Sequence, residues 1–521
     1  MDSTGIHQIL ESIPGSAQGA SASLCETHIS WVILCGDVAY KIKKPVNFGF
    51  LDFSSLALRR HYCEEELRLN RRFSPELYLA VVPITQEGGK AVLEGTGVPI
   101  DYAVKMRRFN ETQLLDNIAA RNGMDMTLLR ALARELAELH KKLPVCQPDP
   151  RSDEPGTPAA LLAAIRQNFQ QVRHYPLAEA QLLQLQAIEQ WSLQQHSELL
   201  PLMLQRLHDG MVIDGHGDAH LGNIAVIDGA VRLFDCIEFN ASFRIMDSIS
   251  EIAFLSMDMH ARGYQHASHR LLSDYLEYTG EFAALRLFSL YTCYFAMVRA
   301  KVNLLTESLH DTALTNTKGY KEFLRYLALA QLCTQPRRTF LAITHGVSGS
   351  GKSTIAGALL ELSGAVRVRS DVERKRLAGL APEQRSKSWE KDALYSTDMT
   401  RKTFSRLEIM AGTIIEAGFP VIIDATFLHR DDRERFHKRA NQLLVPFVII
   451  DCVAQHDELY RRLVERERQG ADASEANVAV MEGQLATAQA LTPEEQVFCL
   501  QAHSADDAAA LWERLQSRCF G

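Results

Sequence analysis

Short β-prone runs punctuate the chain up to about residue 110. His28–Leu34 and Val38–Ile42 flank Cys35-Gly36-Asp37, a spacing that predicts a hairpin. Tyr78–Ile84 and Ile100–Met106 predict two more strands, separated by the turn at Gly88-Gly89. Between these pairs, Leu56–Phe73 carries its apolar residues at helical spacing and stops before Ser74-Pro75. From about Met126 to Gln335 the helical period dominates. It is interrupted by Pro148–Pro158, rich in Pro, Asp and Ser, and by the β-rich block His216–Phe239. After Arg338 strand and helix patterns alternate, which predicts a parallel α/β sheet. The boundary falls within Cys333–Arg338. The expected division is therefore residues 1–335, with a small lobe of about 20–110 and a helical lobe of about 111–330, followed by residues 336–521.

Composition narrows the class. A chain of 521 residues with 46% hydrophobic and 23% charged residues has apolar material for several cores. A net charge of −8 excludes a generic binder of polyanions. The ten cysteines are scattered without a C-x-x-C pair, which argues against structural zinc and disulfides and for a reducing compartment. The longest apolar stretch, Phe288–Val298, is about half a membrane span and runs into Arg299 and Lys301, so it predicts a buried helix. Met1–Gly15 lacks the layout of a signal peptide. A cytoplasmic protein without a membrane partner is expected.

The chemistry is most explicit at Gly346-Val347-Ser348-Gly349-Ser350-Gly351-Lys352-Ser353, which fits G-x-x-x-x-G-K-[ST]. A β-prone run, Thr339–Thr344, precedes it, and a helical run, Ile355–Leu360, follows it and stops near Gly364. In that context the loop from Gly346 to Thr354, with Ser348, Gly349, Ser350 and Gly351 inside it, turns backbone N–H groups onto phosphates. Lys352 reaches the β/γ-phosphates and Ser353 holds Mg²⁺, so ATP and Mg²⁺ are the expected cofactors.

A second phosphate-handling pattern lies upstream. His216-Gly217-Asp218-Ala219-His220-Leu221-Gly222-Asn223 is followed by the β-run Val231–Phe234 and Asp235. An Asp, an Asn five positions on, and an Asp ending a strand form the layout of a kinase-like catalytic loop. Asp218 would take the proton of an acceptor hydroxyl, and Asn223 and Asp235 would hold Mg²⁺. Such a site also needs an early-strand lysine and a helix glutamate. Lys41 and Glu66 fit, with Lys43 and Glu65 as rivals, because alternation puts both lysines on one strand face. His220 has no partner at metal-ligand spacing and is expected to brace the loop.

The segment His216–Asn223 resembles the H-G-D-x-H-x-x-N loop of aminoglycoside phosphotransferase-like small-molecule kinases. Paired with a P-loop domain, it is similar to a bacterial family described as bifunctional aminoglycoside phosphotransferase/ATP-binding proteins. That resemblance implies a protein-kinase-like, two-lobed α+β domain followed by a P-loop α/β domain. Two features depart from it: no G-x-G-x-x-G lies between His28 and Lys41, and Asp235-Cys236-Ile237-Glu238 is not D-F-G.

In the C-terminal part, Ala365–Val368 leads into Arg369-Ser370-Asp371-Val372-Glu373-Arg374. Asp371, at the carboxyl end of a parallel strand, is a candidate base, with Arg374 a turn away to clamp an anion. The segment resembles P-loop kinases of the gluconate-kinase, polynucleotide-kinase and zeta-toxin type. Pro420–Asp424 is a buried strand ending in the acid that a second Mg²⁺ ligand requires, and Thr426 lies just beyond. Arg461–Arg468 precedes the small, polar segment Gln469–Ser474, which suits a lid with Arg462 on the nucleotide and Arg466 neutralising developing charge.

The expectation is an enzyme carrying two ATP·Mg²⁺ sites, each moving a γ-phosphoryl group to the hydroxyl of a small molecule. Nucleic acid is not an expected partner, except as a 5′-hydroxyl or nucleotide acceptor at the C-terminal domain. The alternative is a nucleotide-sensing regulator whose N-terminal kinase fold binds without reacting.

Overall fold

Alternation of buried and exposed side chains builds the first sheet. A computed structural model describes residues 3–12, 22–49, 51–305, 317–384, 386, 393–469 and 476–521. They fall into two compact units: one holds 1–125, 138–174 and 192–258, the other 126–137, 175–191 and 259–521.

In the first unit, β1 (Ser23–Glu26), β2 (Ser30–Cys35), β3 (Val38–Lys43), β4 (Tyr78–Glu87), β5 (Lys90–Leu93) and β6 (Pro99–Arg107) form an antiparallel sheet. Its order is β1-β2-β3-β6-β4-β5. The predicted hairpin is present, with Cys35 opposite Val38. The edge strand β1 was not expected, because Ser-Leu-Cys-Glu is short, polar and largely exposed. Trp31, Ile33, Ile42, Val82, Ile84 and Ala103 bury one face together with Ile6 and Ile9. The helix Leu56–Asn70 is capped by Ser55, whose Oγ accepts from the Leu58 N–H at 3.2 Å.

The predicted β-rich block His216–Phe239 holds β8 (Ile224–Ile227) and β9 (Ala230–Leu233), which pair with each other, and it is flanked by the unpredicted pair β7 (Val212–Asp214) and β10 (Ile245–Asp247). Ala225 and Ile227 pack with Cys63, Leu77, Tyr78 and Val104, so the hairpin β8/β9 and the first sheet share a core.

The second unit holds the parallel sheet: β11 (Leu341–His345), β12 (Val366–Arg369), β13 (Val421–Asp424), β14 (Phe447–Cys452) and β15 (Cys499–Ala502). The order is β12-β13-β11-β14-β15. Strands buried on both faces read as unbroken apolar runs, as Val421–Ile423 and Phe447–Ile450 do. The helices Lys352–Ser363 and Ala508–Phe520 supply Ile355, Leu359, Leu360, Leu511 and Leu515 to one core with Ala342, Ile422 and Val448. Phe288–Val298 lies inside the helix Leu285–Leu305 and is mostly buried. Among the described residues, no helix is long and apolar enough to cross a membrane.

The helix Gln265–Thr279, which precedes the sequence boundary at 336, belongs to the same compact unit as the parallel sheet. Its Ser273 Oγ accepts from the Arg367 N–H of β12 at 3.1 Å. The packing unit therefore extends upstream of the point where the sequence pattern changes.

Leu359 is fully buried. Leu359→Ala is expected to lower the unfolding free energy of the second unit by about 2–5 kcal/mol through lost contacts and the residual cavity. Urea-induced unfolding followed by hydrogen exchange would check it.

Candidate active sites

Two lysines and three carboxylates meet beneath the first sheet. Lys41 and Lys43 project from the same face of β3, as alternation requires. Lys41 Nζ lies 2.9 Å from Glu66 Oε1 and pairs with Asp235, while Lys43 Nζ lies 2.7 Å from Glu66 Oε2 and pairs with Glu238. Glu66 is wholly buried, whereas Glu65 faces outward against Arg68. The geometry thus brings Lys41, Glu66 and Asp235 together and gives Lys43 a buried place behind them. Burial penalises the Lys41 ammonium, but Asp235, Glu66 and Glu238 together hold its pKa well above the ordinary range. Burial pushes the Glu238 carboxyl up, against the pull of Lys43.

Asp235 occupies the left-handed region, with φ of 62°. Two distant groups hold it there. Its N–H donates to the Tyr78 hydroxyl at 2.9 Å, and the Cys236 N–H donates to Asn70 Oδ1 at 2.8 Å. Such backbone strain persists only where the surroundings over-determine it.

The loop carrying Asp218 is braced from several sides. Asn223 Nδ2 donates to Asp218 Oδ2 and to its carbonyl, both at 3.0 Å. The Phe234 N–H donates to the Asn223 carbonyl at 3.0 Å, which ties Asn223 to the segment ending in Asp235. His220 Nδ1 accepts from the Gly222 N–H, and its Nε2 stands 3.6 Å from Asp218 Oδ2, so this histidine does brace the loop. Gly217 has φ of 82°, and a Cβ there would stand 2.6 Å from the Phe243 carbonyl oxygen.

His216 opens the loop motif but was given no role there, and Glu251 was not foreseen. Buried His216 places Nε2 2.9 Å from the Phe234 carbonyl and Nδ1 3.3 Å from the Asp218 N–H. Nε2 donates and Nδ1 accepts, the neutral form, and burial lowers the pKa of this imidazole. Glu251 Oε1 accepts from the N–H groups of His216 at 2.7 Å and Gly217 at 3.0 Å, and Oε2 lies 2.8 Å from His140 Nε2. No local motif marks Glu251, since it lies 35 residues from His216.

In place of a glycine loop, β1 and β2 are joined by Thr27–Ile29. The Thr27 hydroxyl and backbone bond to Ser30 and close the turn tightly.

The second site surrounds the P-loop. Gly346 has φ of 133°, and a Cβ there would stand 2.7 Å from the Cys452 carbonyl oxygen. Thr344 Oγ1 donates to the Ala425 carbonyl at 2.7 Å, and the Gly346 N–H donates to the Thr426 carbonyl at 3.1 Å. These bonds lock the loop to the end of β13. Lys352 Nζ donates to the Val347 carbonyl at 2.8 Å, and the Ser348 N–H donates to Gln484 Oε1 at 2.8 Å.

A cleft of about 410 Å³ opens over this loop. Ser348, Gly349, Gly351, Lys352, Ser353 and Thr354 line one side, and Asp371, Arg374, Asp424 and Thr426 line the other. Ser350 Oγ and Asp424 Oδ2 are buried without a hydrogen-bond partner. Unsatisfied buried oxygens beside a phosphate-binding loop fit a metal–nucleotide complex. Arg374 is buried, donates to the Leu394 carbonyl and Thr400 Oγ1, and keeps an unpartnered Nε.

Arg462 is turned onto the loop. It donates to the Gly349 carbonyl at 3.2 Å, to Ser504 Oγ at 2.5 Å and to Glu458 at 2.7 Å. Arg466 lies in the helix His456–Gln469, but its side chain and the segment 470–475 fall outside the described residues. His429 and Asp432 line the same cleft and were not foreseen. Their position just after a parallel strand was the available signal.

Glu251 yields a pH prediction. Burial opposes its charge, yet the His140 hydrogen bond, the two histidines and the Gly217 N–H outweigh that and hold its pKa at about 2, below the ordinary glutamate value of 4.5. A depressed folded-state pKa contributes stability above pH 4.5 that is lost as pH falls towards 2, up to about 3 kcal/mol. In wild type that loss should appear in acid titration of the first unit's unfolding, and Glu251→Gln should flatten it.

Over 449 residues the chain is 28% identical to an uncharacterized protein of Mycobacterium tuberculosis, covering 86% of this chain and 87% of that one. A choline/ethanolamine kinase family protein from Mesorhizobium loti aligns with 12% identity and a TM-score of 0.35, over 63% of this chain and 99% of its own. A gluconokinase from Sinorhizobium meliloti aligns with 18% identity and a TM-score of 0.25, over 35% of this chain and 92% of its own. Residues 341–491 match the family model described as an AAA domain, so this stretch of the chain is a P-loop domain of that family.

Proposed function

We propose that the chain is a bifunctional ATP-dependent phosphotransferase, with one site in residues 1–335 and another in residues 336–521. The observation that carries this reading is that each set of phosphate-handling side chains converges with an acid fit to accept a hydroxyl proton. In the first, Asn223 steadies Asp218, while Lys41, Glu66 and Asp235 meet in one ion-pair cluster. In the second, Asp371 stands in the cleft formed by the P-loop and Asp424.

Asp218 and Asp371 would each orient an acceptor hydroxyl and take its proton. Lys41 and Lys352 would align phosphates, with Glu66 fixing Lys41. Asn223 with Asp235, and Ser353 with Asp424, would hold Mg²⁺, which when bound offsets phosphate charge.

One observation favours the second reading, a regulator with an unreactive N-terminal site. The β1–β2 turn carries no glycine to cover phosphates.

ATP consumption against a pooled library of sugars, nucleosides and aminoglycosides separates the two. Lys352→Ala and Asp218→Ala are each expected to remove a different acceptor-dependent activity by about 10²–10⁴-fold. Loss with Lys352→Ala alone would favour the regulatory reading.

A further inference from the structure

The edge strand of the parallel sheet carries charge where apolar residues would be expected. β12 reads Val366-Arg367-Val368-Arg369, and both arginines are buried, at 3% and 7% exposure. Alternation puts them on one face of the strand. The helix Gln265–Thr279 supplies the counter-charges on that face through Asp274 and Glu277, three residues apart and therefore on one side of the helix.

Glu277 is the hub. Its Oε1 lies 3.1 Å from Arg130 Nη2 and 3.4 Å from Arg369 Nη1, and its Oε2 lies 3.5 Å from Arg367 Nη2. Its backbone carbonyl accepts from Arg376. Asp274 is a lesser partner, 3.7 Å from Arg367 and 2.8 Å from Arg270.

Both β12 arginines lead directly into the P-loop site. Arg367 Nη1 donates to the Ser353 carbonyl at 3.2 Å, in the first turn of the P-loop helix. Arg369 is the N-cap residue of the helix Ser370–Leu377, two positions before Asp371. One carboxylate thus fixes a side chain that grips the Ser353 backbone and another whose backbone launches Asp371.

We propose that Glu277 is a positioning residue of the P-loop site, setting the metal-holding serine through Arg367 and the acceptor-side acid through Arg369. The assignment rests on the nucleotide-binding reading of that site. It means that the site is completed by a helix lying upstream of residue 336. A carboxylate removed here leaves two arginines buried side by side, and their mutual repulsion is relieved by moving β12 or its side chains. Either motion displaces Ser353 or Asp371. Loop N–H groups and Lys352 precede Ser353 in the chain, and the nucleotide contacts they would make are expected to change little.

The test uses the full chain and calorimetric binding of ADP with and without Mg²⁺, taking the component that Lys352→Ala removes. In wild type, Mg²⁺ should strengthen that component. Glu277→Gln, similar in shape and uncharged, is expected to leave metal-free ADP binding within about threefold while losing at least about tenfold of the Mg²⁺-dependent gain. In turnover the Lys352-dependent kcat should fall about 10–100-fold with KM for ATP little changed. Glu277→Asp, which keeps the charge, should restore most of both readouts; if the glutamine variant does not fold, Arg367→Gln, which removes the bond to the Ser353 carbonyl, should show the same loss. A lowered melting temperature with the Mg²⁺-dependent gain and kcat intact in Glu277→Gln, or in Arg367→Gln where that variant does not fold, would overturn the proposal, leaving Glu277 a stabilising residue only. Absence of any Lys352-dependent binding in wild type would instead overturn the nucleotide reading, and this assignment with it.

Discussion

A charge withdrawn from water costs several kcal/mol unless an opposite charge meets it with good geometry. Both sites in this protein are organised around that constraint. Beneath the antiparallel sheet, buried Glu66 receives Lys41 and Lys43, and the two lysines reach on to Asp235 and Glu238. Beside the parallel sheet, buried Glu277 receives Arg130, Arg367 and Arg369. Neither cluster needs to be a large source of stability, because apolar residues of equal volume would often serve as well. What such clusters do is penalise alternatives. A shifted strand would leave an unpaired buried charge, so β3 and β12 are held where their neighbouring acids can work.

The loop carrying Asp218 is held by two acids reaching in from another segment. Glu251 accepts two successive N–H groups of the His216–Asp218 turn, and Asp258 Oδ2 accepts from the Leu221 N–H at 3.1 Å. A carboxylate is suited to this because it accepts at two oxygens and makes stronger bonds than a carbonyl. The P-loop is fastened differently, by Thr344, Gly346 and Thr426 backbone and hydroxyl bonds at the carboxyl end of the sheet. The buried Arg433 secures the adjoining segment by donating to the carbonyls of Phe427, Gln489 and Ala490 and pairing with Glu495. Rigid placement of this kind is what phosphoryl transfer asks of a protein, since positioning and charge neutralisation make up most of the catalysis.

Much of the architecture was legible because it follows from local pattern. The hairpin around Gly36, the helix from Leu56 and the parallel strand at Val421 all emerge where period and turn residues place them. The strand β1 escaped because its four residues have no apolar period, and its place comes from pairing with β2. The pattern change near residue 336 was also visible, yet the packing unit of the parallel sheet begins earlier. The charges of β12 need Asp274 and Glu277, and a composition shift carries no trace of that need.

By itself the sequence determined the residues whose chemistry is set by neighbours in the chain. The P-loop octapeptide lies within eight positions, and Asp218, Asn223 and Asp235 stand within eighteen, so spacing alone marks them as candidates. Tertiary structure alone decided which lysine meets Asp235, that Glu66 and not Glu65 turns inward, and that Glu251 and Glu277 stand behind the two loops. The physical reason is distance along the chain. Glu277 lies 90 residues from Arg367 and Lys41 lies 194 from Asp235, and such pairs are chosen by which faces the fold buries together.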